Sequence, residues 1–452
     1  MSEISTELIK KAVYKLCFEA NTCLSEDVYL RILSAYKNTQ DKILKAILQN
    51  AKIAYEKKLP LCQDTGQVIV FFEIGQDVKL TGEFIENAVN SAVAECYKEN
   101  YFRKSVVKNA VFDRSNTKNN TPAIIHTKIV EGDNVCIKVL IKGAGSENKS
   151  KTEMMLPTSS EEEIIARCSE LILEAKENAC PPMFIGIGIG ATLDKAAILS
   201  KEVFVCDSFN EKEKDLALKI KENVNSKTSN NYVLDVKVKS IPTHIACLPI
   251  AITINCHSDR TAKCKILNNE IICEENKPNF IDFEEEEHKK EILTSNINEI
   301  RQLKTGDEIL LTGEIYVARD MAHKKLKELI DNNKELPFEI KDKIIFYAGP
   351  CPNRPNEVIG SIGPTTASRM DKYAEELYNL GLLATIGKGD RSNNVINSIK
   401  KNRGKYFTVV GGIAALLSNK VIKSEIIAFE ELGAEAIYKL EIEKFPVKVL
   451  ID

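Results

Sequence analysis

The stretch EENKPNFIDFEEEEHKKEILTSNINEI, residues 274–300, does most to limit how this chain can fold. It is acidic and carries no sustained apolar period, so it has no face of its own to bury. A chain of 452 residues is also too long for one ordinary core. These features predict a larger domain over 1–275, an acidic linker over 276–300 and a smaller domain over 301–452.

Both patterned parts mix helices with strands, which predicts a mixed α/β (α+β) fold class. The opening 57 residues have a helical period: Ile9, Val13, Leu16 and Cys17 share one face, and Ile43, Leu44, Ile47 and Leu48 another. VIVFFEIG reads as a buried strand. A helix from about Thr81, with Thr81 as its N-cap, lines up Ile85, Val89, Ala92, Val93 and Cys96. AIIHTKIVEGDNVCIKVLIKGAG alternates polar and apolar residues around EGDN, predicting a β-hairpin. A helix over 160–178 leads to the strand in CPPMFIGIGIG, then to a helix in TLDKAAILSKEVF, a charged helix near 212–223 and an apolar strand in HIACLPIAITINCHS. The second part alternates the strand EILLTGEIYVA, the helix DMAHKKLKELI and the strand KIIFYA before glycine-rich turns, as a smaller α/β domain would.

Lys plus Arg total 62 against 65 for Asp plus Glu, a net charge of −3, so no broad basic face for nucleic acid or anionic membrane is implied. No apolar run reaches the about 20 residues of a membrane span, and MSEISTELIKKAVYKL lacks the apolar centre of a secretory signal. The expectation is a cytoplasmic protein with neither a nucleic-acid nor a membrane partner. Thirteen cysteines, an odd number scattered without framework spacing, predict reduced thiols.

LCQDTG, residues 61–66, sets a thiol, an amide, a carboxylate and a hydroxyl side by side ahead of an apolar strand. Ordering such a cluster is costly unless a ligand, a metal or a turn employs it. Cys62, Cys180 and Cys256 each stand at the end of a strand or the start of a helix, beside a polar residue or a glycine turn, whereas Cys136 and Cys206 lie in apolar runs. None of the three has Cys-x-x-Cys spacing, so spacing alone leaves a metal role and a packing role both open. Asp64 likewise has a purely local role open to it, an Asx turn before Gly66.

LPLCQDTG, FRKSVV followed by NNTPAIIH, KGAGSENKS, CPPMFIGIGIG and INCHSDR resemble the α part of the iron–sulfur (class I) fumarate hydratase and L(+)-tartrate dehydratase family. LTGEIYVARDMAHKKL, YAGPCP, IGPTTASRMDKY and IGKGDRSN resemble its β part. The blocks run in family order over nearly the whole chain. The resemblance implies that the two parts are fused here, with a cluster-binding first domain and a swivelling-type second one. It further implies a homodimer and an oxygen-sensitive hydro-lyase of the tricarboxylic acid cycle. The implied reaction is reversible hydration of the dicarboxylate fumarate to (S)-malate, with L(+)-tartrate dehydration as the alternative.

By the same resemblance, Cys62, Cys180 and Cys256 hold a [4Fe–4S] cluster and leave one iron open as a Lewis acid. Gln63 and Asp64 reach the substrate, and Arg103, Arg319, Arg369 and Lys388 bind its carboxylates. Gly145 offers backbone N–H groups. Thr365 is the implied base, which requires a carboxylate to draw off its proton, with Asp64 the candidate, and His244 binds substrate or relays a proton. Bland roles remain open beside these: Thr365 and Thr366 as caps of a helix starting near Ala367, His244 as a core residue. Asp390, two residues after Lys388, is expected to face solvent.

Two readings of other classes stand against this one. GIGIGA at 186–191 fits Gly-x-Gly-x-x-Ala after a strand and before a helix, with Asp207 about twenty residues on, as in an NAD-dependent oxidoreductase. An iron-sensing binding protein without catalysis is the other. The first leaves LCQDTG, GPTTASR and IGKGD without a role, and the second leaves the set of arginines without one.

Overall fold

The computed structural model describes residues 2–175, 180–228, 232–283 and 289–452, which separate into two units. One is Met1–Lys58 with Asp64–Phe280, and the other is Leu59–Gln63 with Ile281–Asp452. The acidic run at 284–288 lies outside the described residues, as does the 176–179 end of the helix expected over 160–178.

The first unit opens with β1 (Ser2–Ser5) and helices α1 (Thr6–Thr22), α2 (Glu26–Thr39) and α3 (Lys42–Lys57). Strands β2 (Gln67–Gly75) and β3 (Val78–Thr81), helix α4 (Ile85–Glu99), strands β4 (Ile124–Val130) and β5 (Val135–Lys142) and the short α5 (Ala144–Glu147) follow. Then come β6 (Lys151–Met155), α6 (Glu161–Leu173), β7 (Met183–Ala191), α7 (Leu193–Glu202) and α8 (Glu211–Ser226). Strands β8 (Val233–Thr243), β9 (Leu248–Asn255), β10 (Thr261–Leu267) and β11 (Glu270–Cys273) complete it.

The periodic face of α1, with Ile9, Val13, Leu16 and Cys17, packs with Val89 and Val93 of α4 onto Val68, Val70 and Phe72 of β2 and Val135, Ile137 and Val139 of β5. Those strands belong to a five-stranded sheet of order β11-β10-β5-β2-β4. A four-stranded sheet, β6-β9-β7-β8, builds a second core with α6 and α8.

Two local expectations fail. β4 and β5 do not pair as a hairpin, because β2 lies between them, parallel to β4 and antiparallel to β5. Alternation reveals a strand, while its partner is chosen by the most apolar neighbour. Thr81 is no helix cap either: it ends β3, pairs with Ser5 and accepts a bond from the Thr6 hydroxyl, and α4 begins four residues later at Ile85.

The second unit contains β12 (Lys290–Leu293), α9 (Ile297–Gln302), β13 (Glu308–Val317), α10 (Asp320–Asp331) and β14 (Ile344–Phe346). It continues through α11 (Asp371–Asn379), β15 (Ala384–Gly387), α12 (Asn393–Lys401), β16 (Lys405–Thr408), α13 (Ala414–Ser418), β17 (Val421–Ala428) and β18 (Ile437–Ile451). β13, β14, β15 and β16 run parallel, and the 15-residue β18 pairs antiparallel with both β13 and β16, closing the sheet on itself. Among the described residues no helix is long and apolar enough to cross a membrane.

Candidate active site

In the first unit, β2 starts where β5 ends: Gln67 pairs with Lys142, and Thr261 of β10 pairs with Leu140. The turns before β2, after β5 and before β10 therefore meet at one sheet end, and they carry Asp64, Gly143–Gly145 and Arg260. Asp64 accepts bonds from the Gly66 N–H (3.2 Å) and the Ala144 N–H (2.8 Å), and Arg103 stands 3.3 Å from its carboxylate. Arg260 donates to the Asp64 carbonyl at 2.6 Å. Asp64 thus makes the Asx turn and an ion pair at once. Burial opposes its charge, but Arg103, Arg260 and the two backbone donors hold its carboxyl below the usual range. Arg103 is placed by its own carbonyl, which accepts from the Thr65 hydroxyl at 2.7 Å. A Cβ at Gly143 would lie 2.9 Å from the Arg260 guanidinium, which would have to shift to admit it. Gly145 faces open space within α5.

The second sheet brings two of the three cysteines to one edge. Phe184 of β7 pairs with Asn255 of β9, so Cys256, directly after β9, and Cys180, three residues before β7, lie at the same end. Cys180 adopts a left-handed φ of 57°, seldom seen outside glycine, and the Cys256 sulfur lies 3.1 Å from the Ser258 hydroxyl. Buried Lys142 ties the sheets together: its ammonium donates to the Ile254 carbonyl, to Asn255 Oδ1 (2.8 Å) and to the Ser146 hydroxyl (3.1 Å). Burial pushes its pKa down to about 8. Asn255 also donates to Asp259 at 2.7 Å, whose buried carboxyl is pushed up to about 6.

Cys62 and Gln63 belong to the second unit, although the sequence boundary assigns them to the first part. Ser361 donates to the Pro60 carbonyl (2.8 Å), the Cys351 thiol to the Gln63 carbonyl (3.6 Å) and the Gln63 amide to the Pro364 carbonyl (3.3 Å). Gly363 leaves the room, since a Cβ there would come within 2.5 Å of Gln63 Oε1.

The rest of the second-unit set gathers at the carboxyl ends of its parallel strands, where ligands of open α/β sheets bind. Arg319 follows β13 and caps α10, bonded to Glu435 at 2.5 Å, and Glu435 also accepts from the Met321 N–H at 2.8 Å. Burial raises the Glu435 pKa and Arg319 lowers it, leaving it below the usual value. Thr365 is stitched between strand ends: its N–H donates to the Tyr347 carbonyl (2.8 Å), and its carbonyl accepts from the Lys388 N–H (3.2 Å). Arg369 donates to the Thr365 hydroxyl and stands 3.0 Å from Asp320. The 3₁₀ turn Ala367–Met370 starts after Thr366 without a side-chain cap bond. Asp390 is exposed, as expected.

His244 lies apart from the first-unit cysteines. It sits in the exposed turn between β8 and β9, its ring accepting from the Ala246 N–H at 3.1 Å. Cys256 lies at the opposite end of β9, about 25 Å away at the rise of an eight-residue strand. GIGIGA forms no phosphate loop: Gly186, Gly188 and Gly190 lie inside β7. Gly186 and Gly188 let α7 press against the strand, for Cβ atoms there would meet the Ser200 and Ala196 carbonyls at 2.1 and 2.3 Å.

Lys142, Arg260, Asp320 and Glu435 were not singled out by the sequence. A lysine closing the apolar run VLIK, and Arg260 and Asp320 inside motif blocks, were signals available to be used. Glu435 offered none, lying 116 residues beyond Arg319.

Sequence comparison adds an independent finding. A family model described as "Fumarate hydratase (Fumerase)" matches residues 10–265, and one described as "Fumarase C-terminus" matches 267–452. The anaerobic class I fumarate hydratase of Escherichia coli (strain K12) is 33% identical over 100% of this chain and 88% of its own length. The aerobic class I enzyme of the same strain is 32% identical over the same shares. Fumarate hydratase 2 of Leishmania major is 29% identical over 91% of this chain and 78% of its own.

Proposed function

The chain belongs to the fumarate hydratase family, and from that premise we propose that it is a hydro-lyase that interconverts fumarate and (S)-malate. The observation that carries the reading is the Thr365 hydroxyl, bonded to Arg369 on a loop fixed to the ends of β14 and β15. Hydration places a hydroxyl on one carbon of the double bond and a proton on the other. In the reverse direction Thr365 takes that proton from the carbon next to a carboxylate. A threonine hydroxyl acts as a base only once its own proton has passed to a carboxylate, the part given to Asp64 in this reading, and a guanidinium donating to the oxygen stabilises the charge that is left. Asp320 holds Arg369 in place for this.

A [4Fe–4S] cluster held by Cys62, Cys180 and Cys256 would supply an open Lewis-acidic iron to polarise the departing hydroxyl. The donor set suits that group. None of the thirteen cysteines is in a disulfide, and Cys180 and Cys256 lie at the same end of one sheet. Two buried cations, Lys142 and Arg260, offset anionic charge near the Cys256 turn, and the Arg260 Nε is buried without an acceptor among the described residues.

A dianionic substrate needs cations and oriented donors. Arg103 beside Asp64 supplies these in the first unit, while Arg319, Arg369, Lys388 and the Gln63 amide supply them in the second. Asp64, ionised against two arginines, fixes the Gly143–Gly145 turn through the Ala144 N–H, and the open space at Gly145 leaves room for a substrate carboxylate to approach the backbone there. The substrate contact or proton relay implied for His244 is not part of this reading, because its turn lies at the end of β9 opposite Cys256. The reading includes a cytoplasmic homodimer, to be checked by light scattering.

The test is to load the full chain with iron and sulfide without air and to assay fumarate, (S)-malate and both tartrate enantiomers. Turnover of fumarate and malate that air abolishes is expected. Turnover confined to L(+)-tartrate would move the substrate assignment to the related dehydratases, and iron-independent turnover would remove the cluster from it.

A further inference from the structure

We propose that Cys264 and Cys273, which face each other across the β10–β11 hairpin, are a redox-active dithiol that a peroxide converts into a cross-strand disulfide. The hairpin turns through Asn268 and Asn269, both with positive φ (52° and 61°), the geometry of a two-residue primed turn. Its register pairs Leu267 with Glu270 and Cys264 with Cys273. The Glu274 N–H donates to the Lys263 carbonyl at 3.3 Å, which marks the next pair along as hydrogen-bonded. Cys264 and Cys273 are therefore a non-hydrogen-bonded pair, whose Cα atoms stand about 4.5 Å apart with their side chains close. That spacing lies at the near end of the range a disulfide bridges.

The Lys15 ammonium of α1 lies near enough to Cys273 to favour its thiolate. Glu19 and Glu275 are the carboxylates facing Lys15. The neighbouring Cys264 thiol and the Lys15 ammonium outweigh burial and draw the Cys273 pKa down to about 7, while Cys264 is pushed up. Burial raises the thiols of Cys136 and Cys206 instead. Cys273 is half-buried and reachable, and Cys264 sits beneath it at 5% exposure, the arrangement of an attacking and a resolving thiol.

The Cys273 thiolate attacks one oxygen of hydrogen peroxide and the O–O bond breaks. Sulfenic acid forms, and the departing hydroxide takes up the proton Cys273 had lost, giving water. The Cys264 sulfur then attacks the Cys273 sulfur, the S–O bond breaks and hydroxide leaves with the Cys264 proton as a second water. Two thiols lose two electrons to one peroxide, and no other reagent enters.

The experiment treats the full-length, air-free chain with one equivalent of hydrogen peroxide. Free thiols are blocked with light iodoacetamide, disulfides are reduced and labelled with heavy iodoacetamide, and peptides are read by mass spectrometry. Cys264 and Cys273 are expected to gain heavy label together, in equal fractions and about ten-fold faster than Cys136 or Cys206. In Cys264→Ala, Cys273 is expected to stop at a sulfenic acid that dimedone traps. Wild-type protein in which Cys273 is labelled without Cys264, or in which Cys136 and Cys206 react as fast, overturns the proposal whether or not the variant folds.

Discussion

Asp64 and Asp320 each face an arginine, in opposite surroundings. The Asp64 and Arg103 side chains are 20% and 13% exposed and rest on the ends of long strands, with two backbone N–H groups completing the carboxylate. Asp320 and Arg369 are 35% and 48% exposed and rest on a helix start and a 3₁₀ turn. A buried pair must be complete, because removing one partner strands the other in a poor solvent. An exposed pair contributes little to folding, so its arginine stays available to an anion. The first unit thus carries a charge constellation that belongs to its fold, and the second carries, in Arg369, a cation that its fold merely presents.

This difference is open to attack. The largest expected effect is on chemistry: Thr365→Val should lower turnover by about 10²–10⁴-fold while iron content and folding stay unchanged. A variant with near-normal kcat would return Thr365 to a structural role. Next, Asp64→Ala should destabilise the chain by about 3–5 kcal/mol in urea titration, since Arg103 loses its ion-pair partner and the Ala144 N–H its acceptor, while the Arg260 bond to the residue-64 carbonyl is kept. A shift below about 1 kcal/mol would mean that the first-unit pair resembles the exposed one.

His323 gives an effect of intermediate size on pH dependence. It lies on α10 with its ring at 3.1 Å from the Arg319 carbonyl, fully buried, and burial lowers its pKa from 6.5 to about 4. The folded state therefore binds fewer protons than the unfolded state between these values. Stability is full above pH 6.5 and falls as pH drops towards 4, by about 3 kcal/mol in all. His323→Leu should flatten that acid limb, read from urea midpoints at several pH values; an unchanged limb would contradict the assignment. The smallest effect is expected of Arg369→Ala, which should cost no more than about 1 kcal/mol in folding while weakening substrate binding by about 2–5 kcal/mol. A larger loss in folding than in binding would erase the contrast.

Periodicity made the helices and most strands legible, because α1 and β2 each bury one chemically uniform face. Pairing was not legible: the EGDN turn joins two strands that never touch, since β2 outcompetes each for the other. The glycines of GIGIGA were visible, but a packing glycine and a phosphate-loop glycine look alike until the helix that presses on them is placed. Motif blocks drew attention to Asp64, Arg319, Thr365 and Arg369, which stand on turns at strand ends and helix starts. Lys142 and Glu435 stayed hidden because their roles come from partners 112 and 116 residues away. The same limit hid the membership of Cys62, whose segment is held by Ser361, Cys351 and Pro364.

The central claim is that three cysteines far apart in sequence hold one catalytic cluster. Iron content and fumarate turnover should therefore be measured side by side, without air, for wild type and for Cys62→Ser, Cys180→Ser, Cys256→Ser and the control Cys206→Ser. Each of the first three variants is expected to lose both iron and turnover, and Cys206→Ser to keep both. Retention of iron and activity in any of the first three, or equal loss in Cys206→Ser, would contradict the assignment.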